Sequence, residues 1–395
     1  MSHSVKNIEI GSSLVTILWD TKVESKFHYI WLRDHCHCSE CYHPLTRQRL
    51  QNTYDIPDDI KAVSYELSGD RLIFNWNHQD HKSEFNVNWL FLNSYCPVLI
   101  LQEDKIKNES SYLKLELWDV AKIETELPRI DYLEIMSSDE GIKKWVLKIW
   151  KYGFCLVDNV PESPECTQDL IEKISFIRPT HYGGFWDFTS DLNVNDTAYT
   201  DIAIPLHTDG TYFTDPPGLQ LFHLLKHTGT GGITTLCDSF HCAKLLQLEN
   251  PEYYEILSKF PIPTHSAGEE NVFIQPSYPR PILNHNYMGE LIQVRWNISD
   301  RSTLNLPLDD PELQIPLFYK ATKRWNELLE SNKNEFYHTL KPGQCLIFDN
   351  WRVLHSRRTK FTGQRRMCGA YINRDDFTSR VKLLNLDRED ILATI

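Results

Sequence analysis

The sequence has 395 residues, 41% of them apolar and 12% aromatic, enough to bury one large core or two ordinary ones. Its 41 lysines and arginines face 54 aspartates and glutamates, a net charge of −13, which argues against a nucleic-acid partner and against an anionic membrane surface, because both need a basic face. No run of about 18 apolar residues occurs, so no segment reads as a membrane span. The first ten residues carry neither a charged-then-apolar leader nor an arginine-rich presequence. The expected compartment is therefore cytoplasmic, with a mitochondrial location as the alternative.

Residues 1–100 read as short strands. Leu14–Trp19, Val63–Leu67 and Arg71–Trp76 are rich in β-branched and aromatic residues, and Ser68-Gly69-Asp70 is a hairpin turn between the last two. Helix signals are few there, and no internal repeat is visible. Cys36, Cys38 and Cys41 crowd into this part; the other cysteines are scattered among apolar neighbours, as buried small hydrophobes in a reducing compartment. Leu101–Ser111 is polar and turn-prone, so the expected domains are residues 1–108 and 109–395.

Two helices follow. Ser137-Ser138-Asp139-Glu140 reads as a capping box ahead of Ile142, Trp145, Val146 and Ile149, with Gly153 closing the helix. Ser163-Pro164 opens the second, whose apolar positions are Leu170, Ile171, Ile174 and Ile177. Phe154–Val157 is a buried strand between them. From 199 to 300 and from 344 to 373 the pattern is of short strands broken by Gly229–Gly232, Pro279–Pro281 and Pro342-Gly343, with a helical insert over 311–332. The expected fold is mainly β with flanking helices, a sandwich or jelly roll rather than a parallel α/β sheet.

Leu-His-Thr-Asp-Gly-Thr-Tyr-Phe at 206–213 places His207 and Asp209 two residues apart on a stretch that reads as a strand, so both point to one face. Alone, such a pair is an ordinary polar strand end. His355, closing Phe-Asp-Asn-Trp-Arg-Val-Leu-His, completes a 2-His-1-carboxylate triad of the kind that holds non-haem Fe(II) and leaves positions for a bidentate co-substrate and O₂. Arg365, ten residues on, offers a guanidinium fork for the distal carboxylate of 2-oxoglutarate. Arg366 faces the other way. Thr234, after Gly231-Gly232, offers a hydroxyl to the same carboxylate.

His-Thr-Asp-Gly-Thr-Tyr-Phe, Gly-Thr-Gly-Gly at 229–232, the segment ending at His355, Phe-Thr-Gly-Gln-Arg-Arg-Met-Cys-Gly-Ala-Tyr at 361–371 and Trp-Leu-Arg-Asp-His-Cys at 31–36 resemble the γ-butyrobetaine dioxygenase family, the Fe(II)/2-oxoglutarate oxygenases of carnitine biosynthesis. The resemblance spans nearly the whole chain. It implies a double-stranded β-helix (jelly-roll) catalytic domain behind a small β-rich zinc-binding domain, a homodimer, and ascorbate as reductant. It implies iron ligands His207, Asp209 and His355 and the 2-oxoglutarate clamp Arg365. Three crowded thiols call for one more ligand in a Cys₃His structural zinc site. The residues alone leave His35, His37, His43 and His78 in competition; the family position points to His81.

The family's substrates carry a trimethylammonium group, which has no N–H and is held by aromatic faces. Tyr182, Trp186, Tyr199 and Tyr371 match the family's cage positions. Taken singly, each is ordinary core packing. Asp196 matches a position where butyrobetaine-type members carry an amide, and an acid there suits an α-ammonium. Gly210 leaves room for a substrate whose reacting carbon lies about 2.5 Å farther from the ammonium, and Asn297 is a partner for the amino-acid end. The expected reaction is hydroxylation of N6,N6,N6-trimethyllysine at C3, releasing succinate and CO₂; γ-butyrobetaine hydroxylation is the alternative. A non-catalytic, betaine-binding jelly roll would leave the triad and Arg365 without use. A taurine-type dioxygenase acting on another small acid would leave the cage aromatics idle.

Overall fold

The computed structural model describes residues 3–100, 113–189 and 203–392. They fall into two compact units, Met1–Ser111 with Leu386–Ile395, and Tyr112–Asn385.

The first unit is a duplicated motif. Strands β1 (Val5–Ile10), β2 (Leu14–Trp19) and β3 (Glu24–His28) form an antiparallel sheet followed by helix α1 (Tyr29–Asp34); β4 (Ala62–Ser68), β5 (Arg71–Trp76) and β6 (Lys82–Asn86) form a second, followed by α2 (Val87–Leu92). The copies match in detail. Trp19 Nε1 donates to Ser25 Oγ at 2.8 Å, and Trp76 Nε1 donates to Ser83 Oγ at 2.8 Å. Phe27, Leu32, Phe85 and Leu90 share one buried core with both tryptophans. The repeat is not visible in the sequence because few side chains are identical and the β2–β3 and β5–β6 turns differ in length. The Ser68-Gly69-Asp70 hairpin lies where the sequence placed it, with Gly69 at φ 60°.

In the second unit, α3 (Val120–Thr125), β7 (Arg129–Asp131) and α4 (Tyr132–Ser137) precede helix α5 (Asp139–Tyr152), then β8 (Phe154–Asp158) and α6 (Pro164–Glu172). The N-cap of α5 is Ser138, which accepts from Gly141 N–H, so the cap lies one residue later than expected and the reciprocal half of the capping box is missing, since a glycine stands three residues on; Gly153 ends the helix in the left-handed region as expected. Ser163 caps α6 with Pro164 in its first turn, but Ile177 lies in the short strand β9 (Ile177–Arg178) rather than on the helix.

The remaining strands are β10 (Trp186–Thr189), β11 (Ile204–His207), β12 (Leu219–His227), β13 (Thr234–Asp238), β14 (Leu283–His285), β15 (Leu291–Val294), β16 (Phe336–His338), β17 (Gln344–Asp349), β18 (Val353–Arg357) and β19 (Arg365–Ile372). A large sheet runs β10-β19-β12-β17-β8-β7, with β9 also on β19; a smaller one runs β11-β18-β13-β16. Among the described residues only β7 and β8 pair in parallel. The inner faces of the two sheets meet in the jelly-roll manner, and their alternate residues line one cavity.

Two helices lie where only strands were expected: α7 (Ser239–Glu249) and α8 (Pro251–Lys259). Asp238 caps the first through the N–H groups of Phe240 and His241; Asn250 caps the second, with Pro251 in its first turn. Those cap signals were readable. With α9 (Pro311–Leu329), the predicted insert, they bury Leu246, Leu257, Phe260, Phe318 and Trp325 against the outside of the barrel. Helix α10 (Arg374–Asn385) closes the unit. Among the described residues no helix is long and apolar enough to cross a membrane.

Candidate metal centre and substrate cavity

His207 ends β11 and is paired across the sheet with His355 of β18. That register sets the two imidazoles side by side, with ring centres 4.2 Å apart. Asp209 Oδ1 lies 3.1 Å from His207 Nε2 and 3.7 Å from His355 Nε2. Three donors about 2.1 Å from one ion, on one octahedral face, stand about 3.0 Å apart, so the set fits a metal. The His207 ring is turned by its Nδ1, which donates to the Pro205 carbonyl at 2.8 Å and leaves Nε2 to face the centre. Burial disfavours the Asp209 carboxylate, but the two histidines and the Tyr371 hydroxyl hold its pKa well below the usual range. Burial, and then the neighbouring His207, push His355 down to about 3, so it offers a neutral imidazole.

The loop that carries Asp209 is tied at both ends. Asn350, fully buried, accepts from Asp209 N–H at 2.8 Å and donates to the carbonyls of Asp209 and Pro217. Arg295, on the stretch after β15, donates to the carbonyls of Thr211, Phe213 and Thr214. Neither residue was singled out by sequence, because both act through backbone atoms far along the chain. Gly210 sits at φ 68°, and a Cβ there would meet Phe213 Cδ2 at 2.8 Å and Pro217 Cδ at 3.0 Å. Its glycine is demanded by the turn, a reason different from the substrate room expected of it.

A cavity of about 200 Å³ opens over the triad. On β19 Arg365, Met367 and Tyr371, which share one face of the strand, line it. Arg366 points outward to Asp187, with Nε 2.9 Å from Oδ1, as alternation requires. Arg365 is 6% exposed, and burial, followed by the nearby Arg357, pushes its pKa down to about 10. Arg357, two residues past His355 and missed by the sequence reading, lines the same wall, and both guanidinium groups lie over the Phe361 ring. Thr234 lines the cavity from β13, where it is paired with Arg357.

Tyr182, Trp186 and Tyr371 line the cavity together with Tyr212, whose hydroxyl donates to that of Tyr182 at 3.3 Å. Trp186 and Tyr371 meet edge to face, 6.1 Å between centres. Gly369 makes this packing fit, since a Cβ there would meet Trp186 Cη2 at 2.4 Å. Tyr371 also donates to Asp209 Oδ2 at 2.7 Å. Asn297 and Asp300 line the cavity from the segment after β15. Asp196 and Tyr199 lie outside the described residues. Phe348 and Phe222 pack against the His355 ring at 4.6 and 6.0 Å.

In the first unit, His81 Nε2 lies 3.4, 3.8 and 3.6 Å from the sulfurs of Cys36, Cys38 and Cys41. Tetrahedral zinc with ordinary Zn–S and Zn–N bonds sets sulfur and nitrogen about 3.6 Å apart, so these four donors fit that ion. Gln79 and Asp80, both at positive φ, turn the β5–β6 loop so that His81 faces the thiols. Three of the four competing histidines are engaged elsewhere: His35 with the Trp31 carbonyl, His37 stacked on Tyr42, His43 with the N–H groups of Leu45 and Thr46. Arg33 donates to Cys41 Sγ at 3.3 Å and faces the charge that thiolates would carry.

A family profile described as "Taurine catabolism dioxygenase TauD, TfdA family" matches residues 113–371, and one described as "Gamma-butyrobetaine hydroxylase-like, N-terminal" matches residues 7–111. The chain belongs to the taurine catabolism dioxygenase TauD, TfdA family and is an Fe(II)/2-oxoglutarate-type dioxygenase. Within that class it is most informatively compared with three relatives. It is 53% identical to the trimethyllysine dioxygenase of Meyerozyma guilliermondii, over 100% of this chain and 99% of that one. It is 39% identical to the human protein named "Trimethyllysine dioxygenase, mitochondrial", over 91% and 83%. It is 29% identical to the gamma-butyrobetaine dioxygenase of Pongo abelii, over 95% of each. The human, bovine and mouse relatives carry "mitochondrial" in their names, which accords with the alternative compartment and lends the cytoplasmic expectation no support.

Proposed function

We propose that this chain hydroxylates C3 of N6,N6,N6-trimethyllysine, with iron(II) held by His207, Asp209 and His355 and 2-oxoglutarate held by Arg365 and Thr234. The observation that carries the reading is the placement of a three-donor cluster, a buried arginine and a wall of aromatic rings in one cavity. Iron(II), with 2-oxoglutarate and O₂, supplies the oxidant that inserts one oxygen, with succinate and CO₂ as by-products. The protein's residues bind, orient and shield. The Arg365 fork receives the distal carboxylate of the co-substrate in a site where burial strengthens the pairing. The faces of Tyr182, Trp186 and Tyr371 receive the trimethylammonium cation; Tyr199 joins them, and Asp196 pairs with the α-ammonium, on the strength of the sequence resemblance alone. Asn297 orients the amino-acid end. Phe222, Phe348 and Met367 exclude water around the reacting centre.

At the second cluster, Cys36, Cys38, Cys41 and His81 hold a structural zinc ion, since three thiolates and an imidazole fill a tetrahedron and leave no open position. Residues 1–108 form that zinc domain and 109–395 the catalytic one. Ascorbate as reductant and a homodimeric assembly rest on the family resemblance, and a mitochondrial location on the mammalian relatives' names; sedimentation and cell fractionation read the last two. The test of the reaction is product analysis. Purified protein given iron(II), 2-oxoglutarate and trimethyllysine in air is expected to give a product heavier by one oxygen, with the new hydroxyl at C3 by NMR. Hydroxylation at another carbon, or none, contradicts the proposal.

A further inference from the structure

We propose that Asp300 is a substrate-binding residue that recognises the α-ammonium group in addition to Asp196, making this cavity selective for an amino acid over a simple carboxylate betaine; the inference rests on the trimethyllysine reading above. If C3 is the reacting carbon, the α-nitrogen is two bonds away, about 2.5 Å. Its partner must therefore sit close to the metal ligands. Asp300 is hydrogen-bonded to the loop that carries Asp209 and lines the same cavity as His207, Asp209 and Asn297. Its Oδ2 accepts from Thr211 Oγ1 at 2.7 Å, and Thr211, itself buried, is two residues past Asp209 in the same loop. The backbone is fixed as well: Asp300 O accepts from His265 N–H at 2.9 Å, and Thr264 Oγ1 donates to Thr211 O at 2.8 Å.

The neighbouring Asn297 supplies the complement. Its Oδ1 accepts from Ser299 N–H at 3.0 Å, which turns its amide oxygen to the backbone and leaves the NH₂ end as a donor. One short segment thus presents a donor for a carboxylate and, three residues on, an acid for an ammonium. A zwitterionic amino-acid end fits this pair. A carboxylate lacking the ammonium meets the Asp300 charge as a like charge.

The test compares anaerobic binding of trimethyllysine and of 6-(trimethylammonio)hexanoate, the same chain without the α-amino group, to iron- and 2-oxoglutarate-loaded enzyme by calorimetry. Asp300→Asn keeps an oxygen for Thr211 but removes the charge. It is expected to weaken trimethyllysine binding about 10- to 150-fold while leaving the hexanoate and the KM for 2-oxoglutarate unchanged. Thr211→Val, which removes the hydrogen bond but not the charge, is expected to keep the preference of the wild type for trimethyllysine over the hexanoate. Equal weakening of both ligands by Asp300→Asn, or no weakening, overturns the assignment. So does an ammonium-selective loss in Asp196→Asn with none in Asp300→Asn. If wild-type enzyme neither binds nor hydroxylates trimethyllysine, the functional reading has failed; if wild-type turnover is intact and the Asp300→Asn signature is absent, only this inference has.

Discussion

Tyr371→Phe removes one oxygen atom and leaves the ring. In the native cavity that oxygen donates to Asp209 Oδ2 at 2.7 Å, while Oδ1 of the same carboxylate faces the two histidines. If Asp209 is a metal ligand as proposed, the phenol holds it to binding through one oxygen. Burial, with the adjacent carboxylate, keeps the phenol protonated far above its ordinary range, so it remains a donor at working pH. A hydrogen bond to a charged acceptor is worth about 1.5–3 kcal/mol. Outer partners of metal ligands typically contribute about 10- to 100-fold in metal affinity, or about 1.4–2.7 kcal/mol, so the two routes agree. The aromatic face against Trp186 survives, so cation binding should change by no more than about twofold. The assay is anaerobic titration of metal-free protein with Fe(II) or Mn(II) against a chelator, alongside the KM for trimethyllysine. Metal affinity is expected to fall about 10- to 100-fold with KM nearly constant. Unchanged metal affinity with a raised KM would refute the argument and return Tyr371 to the cage alone.

Arg365→Lys replaces a fork by a point charge and should raise the KM for 2-oxoglutarate about 10- to 150-fold, leaving metal affinity intact; an unchanged KM would remove Arg365 from the clamp. Cys38→Ser should lower zinc content by elemental analysis and unfold the first unit at lower temperature, since structural zinc contributes directly to folding; full zinc retention would contradict the Cys₃His assignment. Arg352 pairs with Asp238 through Nη2–Oδ2 at 2.7 Å and Nε–Oδ1 at 3.1 Å, both residues buried, three residues before His355. Arg352→Met should cost about 3–5 kcal/mol in urea unfolding by stranding the carboxylate, and Asp238→Asn in the same chain should restore part of it. A loss below about 1 kcal/mol would mean that the other donors to Asp238 suffice.

Within the triad the His207–Asp209 pair was legible because it is local, although Asp209 lies in the turn after β11 and not on the strand; distant His355 was legible through its own motif and arrives by antiparallel register. Arg365 and Arg366 were separated correctly by the two-residue period of β19. Contacts made across long stretches of chain left no such trace. The Tyr371–Asp209 bond spans 162 positions and the Asn350–Asp209 bond 141, and Arg295 works through carbonyls that any residue has. Helices α7 and α8 were missed although their caps were in view, because the strand pattern on either side was read through them. The N-terminal duplication rests on matching shape more than matching letters. Among the cage positions, Tyr182, Trp186 and Tyr371 do line one cavity.

The choice between the two betaines is decided by side-by-side kcat/KM values for trimethyllysine and γ-butyrobetaine, with succinate formation followed in iron- and 2-oxoglutarate-supplied enzyme. Coupled turnover of trimethyllysine is expected, with a preference of about tenfold or more, the range set by one lost charge-assisted contact. Coupled turnover of γ-butyrobetaine with none of trimethyllysine would refute trimethyllysine as the substrate.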